Sequence, residues 1–225
     1  MKYYKIRSNY NTRSVVHYSE LQIEDADYYC DIFGPHSISS YYGKKLEPNN
    51  VILPDIKLNT KATPTDLIDI YSVAVAGLGA NTLVVSTKLR NIIMQYADAS
   101  WTSMRIKLIH RKSLLLNYWL IHGFQDRSDL LDYQQTKFHI RNTIGPKLNE
   151  IKIGSHDDLL KQEAELVDNR QLIIKENIRI DEAKSQADML YLTFTAYFSP
   201  TIFVSSRLKL AIETAACTGI DFEPC

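Results

Sequence analysis

Histidine is the side chain most often used for proton transfer and metal binding near neutral pH, and this sequence has six. They are His17, His36, His110, His122, His139 and His156. None shows the H-E-x-x-H spacing that places two imidazoles on one helix face around a zinc ion. His110 and His122 end two strands that we predict to be neighbours, so a metal or acid–base role for this pair is one hypothesis. The alternative is that both are ordinary polar residues at strand ends.

Adjacent carboxylates are the other groups with catalytic potential. Asp157 and Asp158 begin a predicted helix, where negative charge stabilises the helix dipole. Asp181 and Glu182 follow a predicted strand. No sequence signature of a cysteine nucleophile surrounds any of the three cysteines, and no glycine-rich loop of a known phosphate-binding pattern occurs. The sequence therefore predicts no catalytic residue, no cofactor and no metal site.

The overall composition is that of an ordinary globular protein. The 225 residues carry 26 Lys and Arg against 26 Asp and Glu, and a net charge of zero argues against nucleic acid as the main partner. The N-terminal residues lack the apolar core of a signal peptide, and no stretch approaches the ~20 apolar residues of a membrane span. Three cysteines without a spacing pattern do not suggest disulfides. We therefore expect a cytoplasmic protein that binds neither nucleic acid nor membrane.

The clearest pattern in the chain is a strand followed directly by a helix, which occurs at 82–93 and again at 201–212. Aligning the two segments gives five identical pairs: Thr82/Thr201, Val85/Val204, Ser86/Ser205, Leu89/Leu208 and Ile93/Ile212. Ser86 and Ser205 each precede apolar residues at helical spacing, which predicts that they are N-caps. Neither serine has the glycines of a hydrolase G-x-S-x-G turn. Gly219 is predicted to end the second helix, because glycine accepts a positive φ.

This apparent duplication predicts the architecture. The similarity extends upstream if 66–70 are aligned with 188–192, which requires a shift of three residues. We expect an α+β fold, with a mixed α/β scaffold of two similar lobes that each contain strands and one Ser-capped helix. Residues 1–225 would form a single compact domain with possible sub-lobes at 1–110 and 111–225. Chance convergence of two strand–Ser–helix junctions remains the alternative to a true repeat.

The C-terminal segment also resembles a known bacterial family. Its residues resemble a "VSeRLKeaIe…TGveFeP" ending, which is similar to that of immunity protein family 11 of polymorphic toxin systems, formerly a domain of unknown function. The matching residues are Val204, Ser205, Arg207, Leu208, Lys209, Ile212, Glu213, Thr218, Gly219, Phe222, Glu223 and Pro224. Residues 215–217 depart from the pattern, because a glycine or a longer aliphatic residue is more usual there.

The resemblance implies a protein that binds a cognate toxin and neutralises it, most simply by steric occlusion of the toxin's active site. It brings no catalytic residues. An acidic, tyrosine-containing stretch near the N-terminus is the predicted toxin contact, suited to a basic toxin. Its residues are Glu20, Glu24, Asp25, Asp27, Tyr28 and Tyr29. The alternative is that this stretch merely keeps a surface loop solvated.

Two other functional classes stay open at this point. One is a small cytosolic enzyme, such as a hydrolase, acting through His110, His122 or the carboxylate pairs. The other is a non-catalytic scaffold or homodimer subunit that uses its tyrosine-rich N-terminal region. A cleft that groups the titratable side chains would favour the enzyme.

Overall fold

The computed structural model describes residues 1–8, 21–23, 45, 53, 56–58, 68–72, 81–110, 113–115, 117–142, 145–193 and 201–225. Three α-helices lie in this part of the chain: α1 (Thr87–Tyr96), α2 (His156–Val167) and α3 (Ser206–Thr214). The strands of the same part are β1 (Tyr3–Ser8), β2 (Leu21–Ile23), β3 (Ile56–Leu58), β4 (Ile70–Ser72), β5 (Thr82–Ser86), β6 (Trp101–Arg105), β7 (Leu108–His110), β8 (Ser113–Leu115), β9 (Tyr118–Gly123), β10 (Lys137–Asn142), β11 (Lys147–Ile151), β12 (Gln171–Glu176), β13 (Met189–Leu192), β14 (Thr201–Ser205) and β15 (Ile220–Pro224).

These strands form four sheets. Their strand orders are β4-β5-β9-β6, β13-β14-β1-β15, β11-β10-β12 and β2-β3-β7-β8. Among the described strands, neighbours run antiparallel except for β3 and β7, which are parallel. Helices and mainly antiparallel sheets together confirm the predicted α+β class. Among the residues described, no helix has the length and apolar character that crossing a bilayer requires.

Two of the sheets repeat one design. The first unit consists of β4, β5, α1 and β6, and the second of β13, β14, α3 and β15. Every element of the second unit begins 119 residues after its counterpart, as the pairs 70/189, 82/201, 87/206 and 101/220 show. The constant spacing continues through the strand pairing, because Ile70 lies opposite Val85 and Met189 lies opposite Val204. The two strand–helix segments therefore belong to a larger structural repeat.

The fourth strand of each sheet comes from elsewhere in the chain. Strand β9 lies between β5 and β6, and β1 lies between β14 and β15. Tyr118 opposes Ser86 in the first unit, and Tyr3 opposes Ser205 in the second. In chain order, β1 comes before the first unit, and β9 comes between the two units. Each of these strands nevertheless completes the sheet of the unit other than the one it precedes: β1 that of the second, and β9 that of the first. The units therefore exchange strands reciprocally.

The exchanged strands are fixed by equivalent hydrogen bonds. Tyr118 Oη donates to the carbonyl of Ile68 (2.9 Å), and Tyr3 Oη donates to that of Ala187 (2.7 Å). Ile68 and Ala187 directly precede Asp69 and Asp188, which are fold-equivalent. The three-residue shift predicted upstream of the repeat is therefore wrong, since the strand register aligns the two aspartates without a gap.

One hydrophobic core serves both units. It contains equivalent pairs of buried residues from the sheets and helices. These pairs are Ile121/Ile6, Ile70/Met189, Leu83/Ile202, Val85/Val204, Leu89/Leu208 and Ile93/Ile212. Helices α1 and α3 pack against each other across this core. The predicted boundary between residues 110 and 111 therefore does not separate the two sheets. Strand β1 lies before this boundary but belongs to the sheet of the second unit, and β9 lies after it but belongs to the sheet of the first.

The first turns of α1 and α3 have the same cap. Ser86 Oγ accepts from the Leu89 amide (3.2 Å), and Ser205 Oγ accepts from the Leu208 amide (3.1 Å). Each serine hydroxyl also donates to a carboxylate seventeen residues earlier, Asp69 or Asp188. The caps thus connect the helix start to the neighbouring strand.

Helix α3 ends before the predicted position. Ala216 adopts a left-handed φ of 50°, and the Ala216 and Cys217 amides bond the carbonyls of Glu213 and Ile212, which is a Schellman motif. Gly219 has a φ of 76°, and a Cβ there would lie 2.6 Å from the Ile68 Cβ. Gly219 therefore permits close approach to the first unit, and the prediction that it ends the helix is wrong.

A third layer covers the other face of the second unit. It consists of the β11-β10-β12 sheet and α2, whose N-cap is Ser155. A second hydrophobic core fills the interface, with contributions from Phe138 and Ile173 on one side and Leu190 and Phe203 on the other. The second unit's sheet is therefore sandwiched between helices and this layer.

Candidate functional site

The outer faces of the two repeated sheets differ in chemistry. In the first unit, Val84, Met104, Ile106 and Leu120 make that face apolar and buried. The strand register and the terminal hydrogen bonds place one residue of the second unit at each equivalent position. The equivalent pairs are Val84/Phe203, Met104/Glu223, Ile106/Cys225 and Leu120/Lys5. Three of four apolar positions thus carry a charged group or a thiol in the second unit.

A cleft of about 900 Å³ opens over this charged face. One wall is the outer face of β1, β14 and β15, and the other is the end of β12 with the segment that follows it. Its lining includes buried Phe203 on β14, Lys5 and Arg7 on β1, and Arg179 in the segment after β12. Such a volume is typical of ligand-sized pockets.

The polar groups of the cleft are unevenly paired. Lys5 and Arg7 are two residues apart on β1 and therefore share one face. Burial, together with the nearby Arg7 guanidinium, holds the pKa of Lys5 below its usual value. Arg7 forms an ion pair with Glu223, whereas Arg179 pairs with no acidic group in the described part of the chain. The site therefore presents an excess of positive charge.

A smaller depression of about 390 Å³ extends the cleft. Arg179, Pro224 and Cys225 line both spaces, and Lys2 and Glu182 line only the smaller one. The two spaces therefore border each other at the end of β15. We refer to the cleft and this bordering depression together as the groove.

The thiol within the cleft is poorly suited to nucleophilic chemistry. Burial raises the pKa of Cys225 to about 12, so the reactive thiolate is scarce at neutral pH. Burial also raises the pKa of Cys217, which lies outside the cleft. The cleft is consequently better suited to binding than to covalent catalysis.

A cluster of charges, in which Lys175 is buried and Asp126 and Glu163 are half-buried, supports the wall of the cleft. The Lys175 ammonium donates to the carbonyl of Thr193 (3.1 Å) and lies 3.8 Å from Glu163 Oε1, too far for a hydrogen bond. The Asp126 carboxylate accepts from the amides of Ser128 (2.7 Å) and Thr193 (2.6 Å). These contacts connect α2, β12 and the end of β13.

The cluster has the perturbed titration that often marks active sites. Burial raises the pKa of Glu163, and Lys175 only partly offsets it. Burial acts in the same direction on Asp126, but Lys175 and the bonds from Ser128 and Thr193 bring its pKa below the usual value. The Lys175 side chain is only 1% exposed, and its ammonium and Asp126 are held by backbone groups. We therefore interpret the cluster as structural support for the cleft.

Apart from Glu182, which lines the smaller depression, the reactive residues predicted in the described part of the chain lie outside the cleft and its extension. Strand β7, which carries His110, and β9, which carries His122, lie in different sheets, so the prediction that these strands are neighbours is wrong. Asp158 accepts from the Gly154 amide and Asp181 from the Ala183 amide, so both carboxylates order local turns. Ser86 and Ser205 cap their helices, and Gly219 permits close packing against Ile68.

The predicted toxin contacts lie outside the described residues. These are Glu20, Glu24, Asp25, Asp27, Tyr28 and Tyr29. The sequence reasoning did not identify Lys5, Arg7 or Arg179 as site residues. The available signal is that Lys5 and Arg7 stand at alternate positions of 1–8, a segment that predicts a short strand and in which one face would be expected to be buried.

Comparisons with known protein sequences gave no match. No protein-family model matches the chain, and no curated protein matches it significantly. The described part of the chain is an α+β protein with a structural repeat and an open cleft whose lining has more cationic than acidic side chains.

Proposed function

We propose that the protein is a cytoplasmic immunity protein that binds a cognate bacterial toxin and neutralises it by steric occlusion. The observation that carries this proposal is the C-terminal segment, whose residues resemble the ending of immunity protein family 11. The cleft adds support, because a neutralising protein needs a shaped surface and no chemistry of its own.

The family-like residues have clear structural roles in this chain. Ser205 caps α3, and Leu208 and Ile212 are buried in the shared core. Arg207 pairs with Asp188 at the start of the helix. Such roles explain why a fold of this kind would keep these residue types without any of them contacting a toxin.

The end of the same segment borders the cleft. Glu223 and Pro224 belong to the family-like ending and also line the cleft. A concave surface of this kind can form the centre of a protein interface, which typically buries about 1,600 Å² in total. Nanomolar neutralisation would correspond to about −12 kcal/mol of binding free energy.

Co-expression with a neighbouring toxin tests the proposal. We expect the gene to lie beside one for a large secreted toxin, and expression of the present protein to restore growth of cells that produce the toxin domain. The two proteins should co-purify at a constant ratio. Empty vector provides the negative control. Failure of the folded protein both to restore growth and to co-purify would contradict the proposed function.

A further inference from the structure

We propose that the cationic groove over β1 and β15 holds an extended acidic segment of the partner polypeptide. The identity of that partner as a toxin rests on the proposed function, but the chemistry of the groove does not. The inference names the part of the surface that recognises the partner and the type of segment recognised.

The internal repeat provides a comparison within the molecule. In the first unit, Leu120 and Met104 occupy two positions of the outer face, and both side chains are buried. At the same two positions the second unit has Lys5 and Glu223, and this part of the face, which the third layer leaves uncovered, is open as a cleft. Because both units share one backbone design, the fold itself does not require charge at these positions. The charges are therefore available to a ligand.

The balance of charge selects an anionic ligand. Glu223 is engaged by Arg7, and Glu176 is engaged by Lys147 and His139. The exposed Arg179 guanidinium has no acidic partner among the described residues. A carboxylate placed in the groove would therefore meet a cation and would not displace an existing ion pair of Arg179.

The shape of the groove selects an extended segment. The two spaces, of about 900 and 390 Å³, share Arg179, Pro224 and Cys225 as lining residues, so a ligand in the larger space that extends past the end of β15 would reach the smaller one. Gln135 and Asn177 also line the larger space and offer amide groups to a peptide backbone. A single small anion would engage only part of this length.

Binding of a synthetic acidic peptide tests the inference directly. The probe is a fluorescently labelled hexaglutamate, with labelled hexalysine as the opposite-charge control and inorganic phosphate as competitor. We expect hexaglutamate to bind, hexalysine not to bind, and phosphate at equal concentration not to displace the peptide. Displacement by equimolar phosphate would overturn the assignment in favour of a small anion, and absence of hexaglutamate binding would overturn it entirely.

Variants locate the binding in the groove. Arg179→Glu and Lys5→Leu should each weaken hexaglutamate binding by roughly tenfold or more. Lys5→Leu introduces the residue that the first unit has at the same position. Lys161→Glu changes an exposed lysine of α2 outside the groove and should leave binding nearly unchanged. Equal loss in all three variants would indicate unspecific attraction and would contradict the inference, provided that their circular dichroism and thermal unfolding match the unmodified protein.

The toxin assay separates this inference from the proposed function. If the unmodified protein restores growth and Arg179→Glu restores it equally at limiting expression, the groove is not the contact although the immunity function stands. If the unmodified protein does not restore growth but the peptide results are as expected, the groove assignment stands and the toxin proposal fails.

Discussion

Replacement of Asp188 by alanine should destabilise the protein by an amount that can be estimated from the contacts of its carboxylate. Asp188 is buried, and it accepts hydrogen bonds from the Ser205 hydroxyl and from Arg207. Without it, the fully buried Ser205 hydroxyl has lost its acceptor, which costs about 1–3 kcal/mol. Loss of a negative charge beside the start of α3 costs about 0.3–1 kcal/mol more.

The ion pair itself adds little to this total. The Arg207 side chain is 63% exposed, so water screens its attraction to Asp188. We therefore expect Asp188→Ala to lower the free energy of unfolding by about 2–3 kcal/mol. Urea unfolding followed by tryptophan fluorescence is a suitable assay, because buried Trp101 of the first unit donates to the Met189 carbonyl of the second (3.1 Å).

A double variant tests the reasoning behind the estimate. If most of the lost stability comes from the Ser205 hydroxyl that no longer has an acceptor, the double variant Asp188→Ala/Ser205→Ala should lose less unfolding free energy than the sum of the two single variants. A loss below about 0.5 kcal/mol for Asp188→Ala would refute the estimate, since that is typical of surface changes. Strict additivity would refute the assigned cause.

Three further predictions concern the hydrophobic core at Leu208, the close approach of Gly219 to Ile68, and the pKa of Asp126. Leu208→Ala should lower the free energy of unfolding by about 2–5 kcal/mol in chemical denaturation, because Leu208 is fully buried. Leu210→Ala is the control, since that side chain is 64% exposed, and it should change the free energy by less than about 0.5 kcal/mol. Similar values for both variants would contradict the described core. Gly219→Ala should lower the melting temperature, because the new Cβ meets Ile68 and the positive φ is unfavourable for alanine, and an unchanged melting temperature would exclude this close approach. The folded-state pKa of Asp126 is below the usual value, so its ionised form adds stability above about pH 4, and this stability is lost as the pH falls. In urea titrations, the loss of stability caused by Asp126→Asn should therefore be smaller at about pH 3 than at about pH 6. An equal loss at both pH values would contradict the lowered pKa.

Local features of the fold were predictable from the sequence. Ser86 and Ser205 could be assigned as caps because a cap depends only on the few residues that follow it. The α+β class followed from the strand–helix pattern. Strand β11, by contrast, was not predicted, because Leu148 and its neighbours are exposed and show no apolar alternation.

Long-range features were not predictable in the same way. The alternating residues 104–110, which end at His110, predict a single strand, but the structure divides this segment between β6 and β7 in different sheets. The reciprocal strand exchange leaves no mark on the spacing of apolar residues, because β1 would look the same in either sheet. The cleft depends on which outer face is covered, and that is decided by packing between distant segments.

The exchanged strands also constrain how the chain can fold as it is synthesised. Strand β1 leaves the ribosome before α1, yet its sheet partners β14 and β15 are among the last described elements to be made. Until then its backbone donors and acceptors lack their native partners, and such an open strand invites pairing with other chains. The second sheet can close only after translation has passed residue 224, so the protein depends on a late, long-range step to become complete.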